Sequence, residues 1–325
     1  MARPPLGRRV ARAVDTVDAL MVALVITWGL AFAAIKELGH ALDPYQMTWF
    51  RYLPFLVLYG LWLPFARRKR FGQVAGGDWP RFALAGALGV IGYHFPLNWG
   101  LDATEGGAAV SAGTGAILVA TTPLWTLLFA VAMRQERFDA GRALGSAVAF
   151  VGVVVVVFLA PVGGAQLTVA RKALVVLLAP VCWGMYSIVA KPLVDRYGGL
   201  FVTGLTFCLG TLMLLPLGIQ YGAAPLRSLT PELWAWLAFV SLLSTVAGYT
   251  VWNHALRHRR ATEVTIYIYL VPVVATLAGW AVVGEAVSLW FLVGAALVLA
   301  GVVQVNRSRR RGQALHAAPA AAEAE

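Results

Sequence analysis

The chain carries two copies of one pattern. Trp28-Gly29 followed by Lys36 recurs as Trp183-Gly184 followed by Lys191, at an offset of 155 positions. Further on, Pro123, Glu136, Gly145, Ala147 and Gly152 recur as Pro272, Glu285, Gly294, Ala296 and Gly301, now at an offset of 149. Only four lysines exist in the chain, and two of them fall in register. A duplication of this kind restricts the fold to one built from two like halves that complete each other.

Composition then decides the solvent. Hydrophobic residues make up 60% of the 325 positions and charged ones 13%, against about 25% charged in a soluble domain. Mean hydropathy is +0.74. A helix crossing a hydrocarbon core of about 30 Å needs roughly 20 apolar residues. Ten such stretches are predicted, over 17–35, 44–66, 80–101, 106–133, 140–160, 173–190, 200–221, 233–256, 264–283 and 286–305. The fourth is overlong and contains Pro123, which predicts a kink or tilt. The expected fold is an all-α integral membrane protein of ten transmembrane helices. The first repeat would cover 17–160 and the second 161–306, with tails at 1–16 and 307–325. Arg8-Arg9 before an apolar run reads as the flank of the first helix and not as a cleaved signal.

Five spans per copy force the second copy to enter the membrane from the opposite side, so the repeats are expected to be inverted. The net charge of +11 would suggest nucleic acid in a soluble chain. Its distribution excludes that reading. With the N-terminus inside, 21 of the 26 basic residues fall on the inner side. Lys36, Arg171, Lys172 and Arg227 fall outside, and Arg51 lies within a span. This positive-inside bias places both tails in the cytoplasm. Cys182 and Cys208 sit in spans with no metal-ligand spacing around them.

Thr27-Trp28-Gly29 and Cys182-Trp183-Gly184, the blocks from Pro123 to Glu136 and from Pro272 to Gly284-Glu285, and the glycine pairs Gly145/Gly152 and Gly294/Gly301 carry a resemblance. Through them the chain resembles the EamA-type members of the drug/metabolite transporter superfamily over roughly 17–306. The resemblance implies a ten-helix inner-membrane carrier with a central substrate cavity, often an exporter of metabolites, amino acids or drugs. Many members place an acidic residue just before the ninth-helix proline, where this chain has Val271.

Candidate site residues are those that the bilayer makes costly. His94 and Asn98 lie one turn apart in the third span, facing the same way, either toward substrate or into an interhelical hydrogen bond. Arg51 would either snorkel to the outer interface or capture an anionic group. Trp28, Tyr93, Trp183, Tyr186, Tyr249, Trp252 and Asn253 crowd the same depth in both halves, and are read as cavity lining with helix packing as the alternative. Glu136 and Glu285 are read as helix-end anchors. The glycine pairs are read as close helix packing. Cavity walls are expected from helices one, three, four, six, eight and nine.

The function expected is a secondary transporter for a small organic solute, amino-acid-like or amphipathic. No cofactor, metal or nucleic acid is called for. The bilayer is the surrounding partner, and homodimerisation stays open. No phosphate-binding Gly-x-x-x-x-Gly-Lys loop exists. A lipid-modifying membrane enzyme or a passive channel are the alternatives.

Overall fold

In hydrocarbon each backbone N–H and C=O must be satisfied within the chain, so long apolar runs fold as helices. The computed structural model describes residues 6–70, 74–102, 109–135, 139–159, 166–301 and 304. All regular structure among them is helical. Glu105, Glu136, both ends of the chain and residues 162–165 of the 162–170 loop lie outside the described residues.

α1 (Leu6–Leu38) and α2 (Pro44–Arg70) occupy the first two apolar stretches. α3 (Trp79–Gly86), a π-helical segment at Ala87–Gly92 and α4 (Tyr93–Leu101) fill the third. α5 (Ala112–Val119) and α6 (Thr122–Ala132) share the fourth, and α7 (Ala140–Leu159) is the fifth. α8 (Gln166–Val176) and α9 (Leu178–Tyr197) follow, then α10 (Gly199–Met213) and α11 (Leu215–Tyr221). α12 (Pro231–Ala238), a second π segment at Phe239–Ala247 and α13 (Gly248–His258) form the eighth. The ninth is assembled from α14 (Ala261–Thr265), a 3-10 turn at Ile266–Leu270, α15 (Val271–Ala278) and a π turn at Gly279–Val283. α16 (Leu289–Gly301) is the last.

Among the described residues, five stretches are long and apolar enough to cross a membrane: Thr16–Leu38, Ala112–Ala132, Val169–Tyr197, Pro231–His258 and Ala261–Val283. A sixth qualifies if α10 and α11, bent by 49°, count together. α2 and α7 run through as single helices of 27 and 20 residues, whereas prolines and wide turns divide the third, fourth, eighth and ninth stretches.

The fourth helix is one such correction. Its described part starts at Ala112, where the Ser111 hydroxyl accepts the Thr114 N–H at 3.0 Å. The expected kink is a two-residue turn at Ala120 and Thr121 between α5 and α6, within the one apolar stretch Ala112–Ala132. Pro123 cannot donate to the Val119 carbonyl, and the Thr122 hydroxyl donates to it instead at 2.6 Å. Pro272, in the equivalent position, opens α15 directly after the 3-10 turn. There the Val271 N–H satisfies the Ile268 carbonyl.

Glycines set the closest helix approaches, as expected from their spacing. A Cβ on Gly152 would stand 2.6 Å from the Gly294 carbonyl oxygen, while Gly301 lies against the backbone of Gly145 and Ala149. α7 and α16 therefore run antiparallel. Gly29 of α1 packs on Val274 and Ala275 of α15, and Gly184 of α9 packs on Trp125 and Thr126 of α6.

Burial runs opposite to that of a soluble protein. Leu61, Ile219, Leu289 and Trp280 are 64–76% exposed, whereas Arg51, His94, Asn98 and Asn253 are inside. Apolar residues outside and polar residues at the centre match a lipid surround.

Candidate functional site

Both π segments end at the residues that build the centre. A π turn holds one extra residue and offsets the side chains after it, and such turns concentrate at functional sites. The first delivers Tyr93 and His94, and the second delivers Tyr249. Arg51 reaches this centre from α2. It is 3% exposed, so it does not snorkel to the interface but turns inward.

Its guanidinium is held by hydroxyls and a ring nitrogen. Nε donates to Thr245 Oγ1 at 2.7 Å, Nη2 to Ser244 Oγ at 3.0 Å, and Nη1 lies 3.4 Å from His94 Nδ1. Arginine can only donate, so His94 Nδ1 accepts and the ring proton belongs on Nε2. His94 Nε2 then donates to the Tyr249 hydroxyl at 2.6 Å, which also accepts from the Tyr52 hydroxyl at 3.0 Å. His94 is thereby neutral, with its tautomer fixed by a neighbouring cation. Among the described residues Arg51 makes no ion pair with a carboxylate.

The aromatic residues form one cluster across the two repeats. Trp28 meets Trp183 edge-on, ring centroids 5.9 Å apart, and Trp252 at 5.3 Å. Trp183 contacts Tyr93 at 5.3 Å, Tyr249 at 5.2 Å and, stacked, Tyr186 at 4.7 Å. Each such pair adds about 1 kcal/mol beyond area burial. Trp28 Nε1 donates to the Ser244 carbonyl at 2.9 Å, which ties α1 to the second π segment.

A small cavity of about 30 Å³ lies in the middle of this cluster, room for a water or two. Trp28, Arg51, Tyr93, Trp183 and Tyr249 line it, five of the ten residues singled out in sequence. All six expected helices contribute walls, from Phe32 on α1 to Val119 on α5 and Val271 on α15, and α2 joins them through Arg51.

The other five candidates stand behind the wall. His94 supports Arg51 and Tyr249. Asn98 donates to Thr48 Oγ1 at 2.9 Å, the interhelical bond that was its alternative reading. Tyr186 and Asn253 bond each other, with Asn253 Nδ2 donating to the Tyr186 hydroxyl at 2.7 Å. Trp252 backs Trp28 and Trp183.

Sequence reasoning missed Tyr52, Ser244 and Thr245. The hydroxyl run Ser241, Ser244 and Thr245 just ahead of Tyr249 was the available signal for the last two. No cluster of three or more His, Cys, Asp or Glu side chains that could hold a metal exists among the described residues.

Ion pairs occupy the ends of the helices that carry the repeated lysines. Lys36 pairs with Glu285, and both oxygens of that carboxylate also accept the Ala112 N–H at the start of α5, at 2.9 and 3.0 Å. Glu285 thus anchors three elements, in keeping with the helix-end reading. Its counterpart Glu136 lies outside the described residues. Lys191 pairs with Asp195 one turn along α9, at 2.6 Å. Where the apolar part of α1 begins, Asp18 accepts from Arg259 at 2.5 Å and from the Tyr267 hydroxyl. Beside the end of α9, Asp78 accepts from the Tyr197 hydroxyl at 2.7 Å and from Arg81 and Arg196, both at 2.9 Å. The tyrosine bond first, and the two guanidinium groups with it, hold the Asp78 carboxyl below its ordinary range despite burial.

The model of the EamA-like transporter family matches residues 16–158 and again 170–307, one match for each repeat read from the lysine register. The chain belongs to the EamA-like transporter family. A probable terminal-alkyne amino-acid exporter of Streptantibioticus cattleyicolor is 34% identical over 304 residues, covering 90% of this chain and 94% of that protein. An uncharacterised transporter of Archaeoglobus fulgidus is 28% identical over 295 residues, covering 89% and 99%. A solved crystal structure superposes with a TM-score of 0.64 at 17% identity, covering 91% of this chain and 98% of its own, a likeness of fold. This EamA family member is a multi-pass membrane protein of two like halves, and its relatives are named as transporters and not as enzymes.

Proposed function

We propose that this EamA family member is a secondary transporter that moves a small organic metabolite across the cell membrane by alternating access, as an exporter or exchanger. The observation that carries this is the central cavity, walled by both repeats and narrowed to room for one or two waters. A site too small for an organic solute, yet lined by Trp28, Trp183, Tyr93 and Tyr249, fits a carrier between loading events. Its walls suit an amphipathic or amino-acid-like solute. The exporter named in Streptantibioticus cattleyicolor supports the same class.

Ten spans in two inverted repeats, both tails cytoplasmic, complete the proposal. Two facts support inversion. The contact of Gly145 with Gly301 becomes, on moving each residue to its repeat equivalent, the contact of Gly294 with Gly152. Likewise the packing of Gly29 on Val274 and Ala275 becomes that of Gly184 on Trp125 and Thr126. A two-fold axis in the membrane plane generates such reciprocal contacts.

Counterflow in proteoliposomes tests the reading. Internal unlabelled solute should stimulate saturable uptake of labelled solute, whereas linear, unstimulated flux identifies a channel. An imposed pH gradient should drive no accumulation, because His94 is already committed to Arg51 and Tyr249. Single cysteines at 67–77 and 162–170 should label from opposite sides, and labelling of both from outside removes the inverted topology.

A further inference from the structure

The walls of the cavity carry an excess of hydrogen donors. Three N–H groups of Arg51 go to Thr245, Ser244 and His94, and two of the five guanidinium donors remain, one on each Nη. No acceptor for them exists among the described residues. Tyr249 accepts from both Tyr52 and His94, so its own hydroxyl hydrogen is left to donate. Trp183, also in the wall and 2% exposed, keeps a buried indole N–H without an acceptor.

All three groups offer hydrogens, and one carries a full positive charge that no carboxylate among the described residues neutralises. The remaining wall is the hydroxyls of Ser244 and Tyr93 together with hydrocarbon and aromatic face, including Phe32, Leu97, Val119 and Val271. Among the described residues no acidic side chain lines the cavity.

From this juxtaposition, and resting on the carrier reading above, we infer that Arg51 is the carboxylate subsite and that the transported solute is a small carboxylic acid with an apolar or unsaturated chain. One oxygen on each Nη gives the bidentate fork that arginine forms with carboxylates. The solute's charge replaces the missing counter-ion, so the occupied site is neutral at membrane depth, where an unpaired guanidinium is costly. The aromatic and aliphatic wall takes the chain. An α-amino group meets no acid among the described residues and rests against neutral hydroxyls and the π faces of Trp28 and Trp183. It is therefore tolerated but not required.

The full chain in proteoliposomes, loaded for counterflow, tests this with four matched probes. They are an apolar α-amino acid, its methyl ester, its deamino acid and the corresponding amine. The two carboxylates are expected to exchange with similar half-saturation, and the ester and amine to compete at least 30-fold more weakly. Arg51→Lys should retain the preference for acids with weaker binding, and Arg51→Gln should abolish it while leaving insertion and abundance unchanged. The wild-type comparison decides the matter even where a variant folds poorly. Equal exchange of ester and acid, or a requirement for the amino group, overturns the carboxylate subsite and leaves the carrier intact. Saturable flux of none of the four overturns both.

Discussion

Lys36 and Lys191 occupy the same place in the two repeats, yet they are held differently. Lys36 reaches across to Glu285 of the other repeat, and both side chains are 15% exposed. Lys191 turns back along its own helix to Asp195, which is 50% exposed. The end of α9 is fastened instead by Asp78, which collects Tyr197 and Arg196. Identical register thus yields a shielded latch between repeats at one end and a wet intrahelical pair at the other. In a chain of two like halves, this is how a single conformation departs from the symmetry of its sequence.

The largest effect is expected at the shielded end. Glu285→Ala leaves a partly buried ammonium and the Ala112 N–H without their acceptor, and should cost about 3 kcal/mol. That is a fall of several degrees in the unfolding midpoint in detergent. A double-mutant cycle of Lys36→Ala with Glu285→Ala should give coupling above about 1 kcal/mol. Equal coupling for Lys191 and Asp195 would mean the two ends are equivalent in solution, and the contrast would collapse.

Asp78→Asn comes next, at about 1–2 kcal/mol, and its pH dependence has a definite sign. A carboxyl whose folded pKa is lowered adds stability that is fully present above its unfolded value, about 3.9. That stability is lost as pH falls through the lowered folded value. The gap between wild type and Asp78→Asn should therefore be flat from pH 8 to about 5 and shrink below about 4. A gap that instead closes between pH 7 and 5 would show that another group controls this end.

The smallest effect is expected for Lys191→Ala. A half-exposed pair four residues apart is worth about 0.3–0.5 kcal/mol, close to the resolution of thermal unfolding. A loss above about 1 kcal/mol would reveal a partner for Lys191 other than Asp195.

Much of this organisation was legible in the sequence, for identifiable reasons. Trp28 and Trp183 marked the repeat because composition alone makes such coincidences rare. The helices followed from apolar runs, and Pro123 announced the kink in the fourth. The site was legible as a depth: residues costly in lipid gathered at one level, and five of them line the cavity. Which neighbour each would choose was not legible. Arg51 and Thr245 are 194 positions apart, and only packing makes them partners. The π segments escaped as well, since one extra residue in an apolar run leaves its hydropathy unchanged. Their trace is that Tyr93 and Tyr249 lie 156 positions apart, one more than the 155 that separates the two tryptophans.

Those wide turns make the two central helices sensitive to length. Each residue of an α-helix advances the side chains by about 100°, so removing one residue from 87–92 does not merely shorten the helix. It rotates the following turn as a unit, carrying the His94 ring away from the Arg51 guanidinium and bringing an aliphatic flank to the middle of the bundle. The helix behaves as a ratchet whose tooth is a single peptide unit, with the donor-rich face of the centre as one of its settings.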